Sequence, residues 1–179
     1  MEYFTRLLII LVSICLLTGS AIMADEYDNN NTLKEIKDVI HNSIGWAKNK
    51  DKDLLYSCFA DDSNLFYFNP DNSYILGREA FESLTENFFL NPGFKAISYE
   101  IKELRINLSE SETVAWWSCR LDDRNEWNMQ PANWINVRWS GVIEKRNNNW
   151  VIVQMHFSNA TGTNNEENNQ SDSTKSDDK

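Results

Sequence analysis

The clearest pattern in the chain is an alternation of apolar and polar residues between Gly141 and Ser158. Strand side chains point alternately to the two faces of a sheet, so this alternation predicts a β-hairpin with a tight turn from Arg146 to Asn149. The predicted core face of its second strand carries Val151, Val153, Met155 and Phe157, and the polar face carries Ile152, Gln154, His156 and Ser158. A turn centred near Asn147 would set Arg138 beside His156.

Two earlier segments, Thr113 to Leu121 and Trp134 to Lys145, alternate in the same way and are predicted strands separated by a long loop, Asp122 to Asn133. Their odd positions are apolar or glycine: Ala115, Trp117, Cys119, Leu121, Val137, Trp139, Gly141 and Ile143. Burial of such a face is favourable by ~25 cal/mol per Å², so we expect helices to cover it. The even positions mix Trp and Arg with polar residues, as protein interfaces do.

Helical periodicity dominates the first part of the chain. Thr32 and Glu35 form a capping-box pattern ahead of apolar residues at helical spacing, which predicts a long first helix. The chain then predicts a short helix from Asp51 to Ala60, a strand from Leu65 to Phe68 and a third helix that begins near Gly77 and ends at Asn91.

The segment from Phe94 to Leu108 changes the phase of its alternation partway along. Its apolar residues are Ile97, Tyr99 and Ile101 at odd positions, then Leu104, Ile106 and Leu108 at even positions. One extra residue near Lys102 or Glu103 accounts for the change and predicts a β-bulge. Because a bulge bends its strand, we expect the sheet to curl around the helices.

The first residues are typical of a secretory signal peptide over residues 1–24. Arg6 precedes an apolar run from Leu7 to Leu17, and small residues then offer cleavage after Ala21 or Ala24. The run is shorter than the ~20 residues that span a bilayer, so we expect export to the periplasm or the medium with no permanent membrane span. Cys15 leaves lipid attachment open as a less favoured alternative.

The remaining composition limits the function. Residues 160–179 are polar and acidic and predict a disordered tail, which leaves one domain over residues 25–159. A net charge of −10 argues against nucleic-acid binding. Cys58 and Cys119 are either buried thiols or, in an exported protein, a disulfide pair. Metal-ligand spacings and nucleotide fingerprints are missing, so we expect no cofactor and no metal.

Five short segments resemble SnoaL-like members of the nuclear transport factor 2-like superfamily. They are FADD at 59–62, NP at 69–70, GREAF at 77–81, VRWSGVIEKR at 137–146 and WVIVQMHFS at 150–158. The resemblance implies an α+β cone fold, with N-terminal helices packed on a strongly curved antiparallel sheet around a cavity for small apolar molecules. It also implies a homodimer, and for some members a cofactor-independent reaction.

Asn69 precedes Pro70 at the position where ketosteroid isomerases of this layout carry an Asp base. An amide cannot take that proton, so the resemblance argues against steroid-isomerase chemistry there.

These patterns predict an aromatic-lined cavity that holds a small apolar or amphipathic molecule. The expected ligand-binding residues are Tyr67, Asn69, Trp117, Trp139, Met155 and Phe157, and the expected dimer-interface residues are Trp116, Arg138, Gln154 and His156. The competing hypothesis is a cofactor-independent isomerase, dehydratase or hydrolase that uses Tyr67, Asn69, His156 or a carboxylate of the 122–126 loop. A third hypothesis is an assembly module with a solid core. No catalytic residue is assigned.

Overall fold

Three helices precede most of the sheet in the computed structural model, which describes residues 30–71 and 73–160. Helix α1 covers residues 30–45 and continues as a short 3-10 turn, Trp46–Lys48. Helix α2 is Lys52–Ser57, and α3 is Arg78–Leu84, extended by a π-helical turn, Thr85–Phe89. The expected signal peptide and the tail beyond residue 160 lie outside the described residues.

The predicted capping box of the first helix is wrong. Residue 30 is already helical, and Thr32 is a buried residue inside α1 rather than its N-cap. Glu35 instead accepts a hydrogen bond of 3.1 Å from Asn31 Nδ2, one turn earlier. Ile36 and Ile40 lie on the buried stripe, as the helical spacing predicts.

Seven strands form one sheet in the order β2-β1-β7-β6-β4-β3, and β5 pairs with β4. The strands are β1 Phe66–Phe68, β2 Tyr74–Leu76, β3 Phe94–Leu108, β4 Val114–Trp127, β5 Gln130–Pro131, β6 Trp134–Arg146 and β7 Asn149–Ser158. The predicted α+β cone fold is confirmed. One pairing departs from the expected antiparallel sheet, because β1 runs parallel to β7.

The predicted bulge in β3 is confirmed. The register between β3 and β4 shifts between Lys102 and Arg105, and Glu103 adopts a positive φ of 55°. A second shift lies between Ala96 and Ser98. Both bulges bend β3, so the sheet wraps around the helices on one side. We call that helix-covered side the concave face and the opposite side the convex face.

The predicted long loop after Leu121 is wrong. Strand β4 continues to Trp127 because β3 is long enough to pair with all of it, down to Phe94 opposite Trp127. Asn128 and Met129, with φ of 50° and 67°, then turn the chain into β5. Residues 122–127 are therefore strand residues with defined faces.

The predicted faces of the last strand are half right. Met155 and Phe157 are buried, but so are Trp150 and Ile152, while Val151 and Val153 are partly exposed. The register explains this, since Val142 pairs with Gln154 whereas Ile143 pairs with Ile152, which leaves Val153 as an extra residue. The bulge swaps the two faces along β7.

Because of the same bulge, Arg138 and His156 do not lie directly opposite each other, contrary to the prediction. Asn147 and Asn148 form the turn with φ of 49° and 65°, and the extra residue then moves Arg138 opposite Ser158 and His156 opposite Ser140. The Arg138 guanidinium donates to the Asn159 carbonyl instead. Arg138 and His156 are therefore diagonal neighbours on the convex face rather than a directly opposed pair.

The core lies between the concave face and the helices. Trp117, Trp139, Leu121 and Ile143 of the sheet are buried in the same cluster as Ile36, Ile40, Leu55 and Phe81 of the helices. None of the helices within 30–71 and 73–160 has the length and apolar character to span a membrane.

Candidate functional site

An aromatic wall covers the centre of the concave face. Trp139 on β6 stacks on Phe157 of β7, with ring centroids 5.5 Å apart and planes 12° apart. Trp117 on β4 meets Trp139 edge-to-face at 5.5 Å. Met155 is buried near them. Four of the six predicted ligand-binding residues therefore share one buried face, although ligand binding by them stays a prediction.

Gly141 decides how Trp117 lies on the sheet. A Cβ at this glycine would come 2.3 Å from Trp117 Cη2 and 2.5 Å from the Gln154 carbonyl oxygen. Real Cβ atoms do not approach so closely, so the indole ring occupies the space that any other side chain at this position of β6 would need.

Tyr67 extends the aromatic wall onto β1. Its ring lies 6.4 Å from Phe157 and 6.2 Å from Phe81 of α3, and the residue is 4% exposed. Burial raises the pKa of its hydroxyl far above the usual value, so the group stays protonated. No hydrogen bond joins this hydroxyl to another residue of the described chain.

Asn69 lies at the edge of the sheet rather than in the wall. Its backbone N–H donates to the Ser73 carbonyl at 3.1 Å, and its side-chain amide donates to Ser73 Oγ at 2.8 Å. Both bonds close the connection between β1 and β2, so the structure gives the Asn69 amide a role in that turn.

Several polar atoms of the core lack a partner. Among the described residues, the buried Nε1 atoms of Trp117, Trp139 and Trp150 have no acceptor, and the buried Oδ1 of Asn125 has no donor. In the edge-to-face pair of Trp117 and Trp139, at most one of the two N–H groups can point at the ring face of the other indole. A buried polar group without a hydrogen bond costs about 1–3 kcal/mol, so four such atoms in the described core require an explanation.

Asp122 and Asp123 point to opposite faces of β4. The Asp122 carboxylate accepts bonds of 2.8 Å from Lys102 Nζ and from the Asn136 N–H, on the convex side. The hydrogen bond from Lys102 lowers the pKa of Asp122, so this residue is a structural anion at the bulge of β6. The pair cannot act together as the sequence hypothesis of paired carboxylates requires.

Asp123 shares the concave face with Leu121. The register between β3 and β4 is regular from Lys102 opposite Arg120 to Ser98 opposite Arg124, so the alternation continues through Asp123. Burial raises the pKa of this carboxyl, and a hydrogen bond from the Asn125 side-chain amide offsets part of that increase. A partly buried acid of this kind at an aromatic face marks a functional-site candidate.

Both cysteines are free and buried. Burial raises the pKa of the Cys58 thiol to about 11 and that of Cys119 to about 12. Each donates weakly to a carbonyl, Cys58 to Leu54 at 3.2 Å and Cys119 to Trp139 at 3.5 Å. They pack as small apolar residues, and neither has the ionised sulfur that a nucleophile needs.

The four predicted dimer-interface residues all lie on the convex face. The pairing registers place Trp116, Val142, Gln154 and Phe66 in one row across it. Trp116 is 47% exposed, and His156 lies in the next row with its ring 5.9 Å from that of Phe68. His156 is therefore separated by the sheet from the aromatic wall, which removes it from the predicted acid–base groups.

Comparison with protein families identifies this architecture. The model of the SnoaL-like domain matches residues 36–162 of the chain. This chain belongs to the SnoaL-like domain family. A search of curated proteins found no match.

Solved structures support the same fold for this SnoaL-like domain. A nuclear transport factor 2-like superfamily protein from Salmonella enterica serovar Typhimurium is 20% identical, with a TM-score of 0.62 over 78% of this chain and 98% of that one. A protein from Novosphingobium aromaticivorans, described as nuclear transport factor 2-like with a cystatin-like fold, is 13% identical, with a TM-score of 0.62 over 79% and 90%. A nuclear transport factor 2-like protein from Cytophaga hutchinsonii is 13% identical, with a TM-score of 0.57 over 70% of this chain and 95% of that one. At these identities the likeness concerns the fold.

Asp123 was predicted only as one carboxylate of a 122–126 loop, and it was not predicted that Asp123 and Asn125 share the concave face of this SnoaL-like domain. The signal was present, since both continue the odd positions that begin at Ala115. Two adjacent aspartates and a run of polar residues suggested solvated loop charge instead. The pairing with β3, β5 and β6 shows that the strand continues past Leu121.

Proposed function

We propose that this SnoaL-like domain binds a small amphipathic molecule between its helices and the concave face of the sheet. One observation carries the proposal: the concave face combines an aromatic wall with buried polar atoms that have no partner within the described residues, namely the indole N–H groups and Asn125 Oδ1. The Tyr67 hydroxyl also makes no hydrogen bond to a described residue. An apolar ligand body would cover the rings, and its polar atoms would meet the unused groups.

Tyr67 gives the clearest reason for a ligand. A hydroxyl can rotate toward a partner, yet this one lies among Phe81 and Phe157 with no such partner in the described chain. A Phe at this position would fill the same space without leaving a hydroxyl unmet. The hydroxyl therefore makes sense as a contact to a bound molecule.

Titration of the purified protein with 2-naphthalenemethanol, followed by calorimetry, tests this proposal. The probe has an apolar two-ring body and one hydroxyl, and we expect saturable binding. Tyr67→Phe should weaken the affinity by about 3- to 10-fold, the effect of one neutral hydrogen bond, without lowering the stability of the free protein. Tyr74→Phe is the matched control, because Tyr74 is 58% exposed on the neighbouring strand. An absence of saturable binding, or equal effects of the two variants, contradicts the proposal.

We also propose that the domain forms a homodimer through its convex face. Large apolar side chains are exposed there without cover: Phe68 at 45%, Tyr74 at 58%, Leu76 at 57% and Trp116 at 47%. Several exposed large apolar side chains on one face of a sheet are typical of an interface, and a two-fold contact would bury the same residues of both copies.

Light scattering on the wild type and two variants tests the dimer. Trp116→Arg should yield monomers, because it places a charge where a large apolar side chain is exposed on the convex face. Met129→Arg is the control, since Met129 is 88% exposed at the turn that follows β4. A monomeric wild type, or a Trp116→Arg variant that stays dimeric, would show that this face is not the interface.

Export is proposed on the sequence alone, from Arg6, the Leu7 to Leu17 run and the small residues up to Ala24. The mass of protein recovered outside the cytoplasm should then correspond to a chain that begins at Ile22 or Asp25. An uncleaved chain would contradict the proposal.

A further inference from the structure

Asp123 lies between two aromatic residues on the concave face. It is the direct neighbour of Tyr99 on β3 and of Trp134 on β6. Trp134 contacts Phe157 with ring centroids 5.2 Å apart, and Tyr99 contacts His41 of α1, so both rings are on the helix-covered side. The carboxyl is therefore at one end of the aromatic wall.

This carboxyl has no cationic partner in the described residues. Lysine and arginine side chains instead pair with the carboxylates of the opposite face, as Lys102 does with Asp122 at 2.8 Å and Lys95 with Glu126 at 3.7 Å. An unpaired, partly buried carboxyl is costly, which is why burial raises the pKa of Asp123. Within the described residues, the Asn125 amide offsets only part of that cost.

Asn125 provides a second, independent sign of a ligand. It follows Asp123 on the same face, it is 7% exposed, and its Oδ1 has no donor in the described chain. Its backbone N–H is used, since it donates to Asn133 Oδ1 at 2.9 Å. On neighbouring positions of the concave face, the Asp123 carboxylate thus has the Asn125 amide but no cation, and Asn125 Oδ1 has no donor within the described residues.

We propose that Asp123 and Asn125 bind the protonated amine of a small molecule whose apolar body lies on the aromatic wall. An ammonium group supplies several N–H donors, and its positive charge provides the cationic partner that the Asp123 carboxylate lacks among the described residues. The rings of Tyr99 and Trp134 add cation–π attraction at the same place. The net charge of −10 draws cations toward the domain. This inference rests on the proposed binding function and names its ligand class.

A bare metal ion fits this donor set poorly. Within residues 30–71 and 73–160, no three His, Cys, Asp or Glu side chains come together. One carboxylate and one amide oxygen are too few ligands for Ca²⁺, which takes six to eight oxygens. An organic cation needs fewer contacts because its apolar part contributes the rest.

Calorimetric titration of the full chain at pH 7 with 2-naphthalenemethylamine and with 2-naphthalenemethanol tests the inference. The two probes share size and shape, and only the amine is charged. We expect the amine to bind about tenfold more tightly or better, and Asp123→Asn to remove that preference while the affinity for the alcohol is kept. Glu100→Gln is the control, because it removes the same charge from the exposed side of β3 and should keep the preference.

The outcomes separate the two proposals. Binding of the alcohol without preference for the amine overturns the amine site and leaves the binding function intact, whereas no binding of either probe overturns both. Equal losses in Asp123→Asn and Glu100→Gln would assign the preference to overall charge and also overturn the site. Asp123→Asn should unfold at the same or a higher temperature than the wild type, because an ionised carboxyl with a raised pKa does not stabilise the fold.

Discussion

Trp117→Ala is expected to lower the free energy of unfolding by about 3–5 kcal/mol, the range for removal of a buried large aromatic side chain. The indole is 2% exposed and packs edge-to-face on Trp139, so its loss leaves a cavity in the core between the sheet and the helices. Urea denaturation measures the effect.

The adjacent tryptophan is the control. Trp116 has the same chemistry on the same strand but is 47% exposed on the convex face, so Trp116→Ala should cost about 1 kcal/mol or less. Measurement over a range of protein concentrations separates dimer dissociation from unfolding. Similar losses for the two variants would contradict the assignment of the concave and convex faces.

Gly141→Ala has the second-largest expected effect, a destabilisation of about 3 kcal/mol, at the upper end for overpacking. The added methyl would come 2.3 Å from Trp117 Cη2 and 2.5 Å from the Gln154 carbonyl oxygen. Either the indole or the backbone of β7 must shift. Ser140→Ala, on the preceding and opposite-facing position of β6, should change the stability by about 0.5 kcal/mol or less.

A double-mutant cycle identifies which of the two contacts is responsible. In a Trp117→Ala background the ring is gone, so Gly141→Ala should cost at least about 1 kcal/mol less than in the wild type. The remaining cost then belongs to the approach to the Gln154 carbonyl. Strictly additive losses would show that Trp117 does not lie across Gly141.

Alternation along single strands predicted the aromatic wall correctly. Trp117, Trp139, Met155 and Phe157 are buried on one face, because a period of two residues is a property of any strand and needs no knowledge of its partners. The β3 bulge was predictable for the same reason, since an extra residue leaves a change of phase in the sequence itself. The role of the four wall residues in ligand binding stays a prediction.

The β7 bulge was not predictable in this way. Val151, Ile152 and Val153 are all apolar, so the local pattern has no phase that could reveal an extra residue. The choice of Val153 as the bulge depends on how β7 pairs with β6 and where Ile152 meets Phe59. The positions of Arg138 and His156 depend on that choice, which is why they are diagonal neighbours and not directly opposite each other.

Asp122 and Asp123 show the same limit at the candidate site. Adjacent aspartates indicate an exposed loop by composition, and nothing local distinguishes the two. The length of β3 draws both into β4, after which one carboxylate meets Lys102 and the other lies among aromatic rings without a cation.

By itself the sequence determined the α+β class, the order of the helices and of the five predicted strands, the curl of β3 and the apolar character of the face toward the helices. These features follow from the periodicity of apolar residues, which depends only on residues that are close together in the chain. The tertiary structure decided where strands end, which residue bulges in β7 and which of two aspartates faces the core. Those features depend on hydrogen-bond pairing between segments distant in the chain, and no local pattern contains the register of a distant partner.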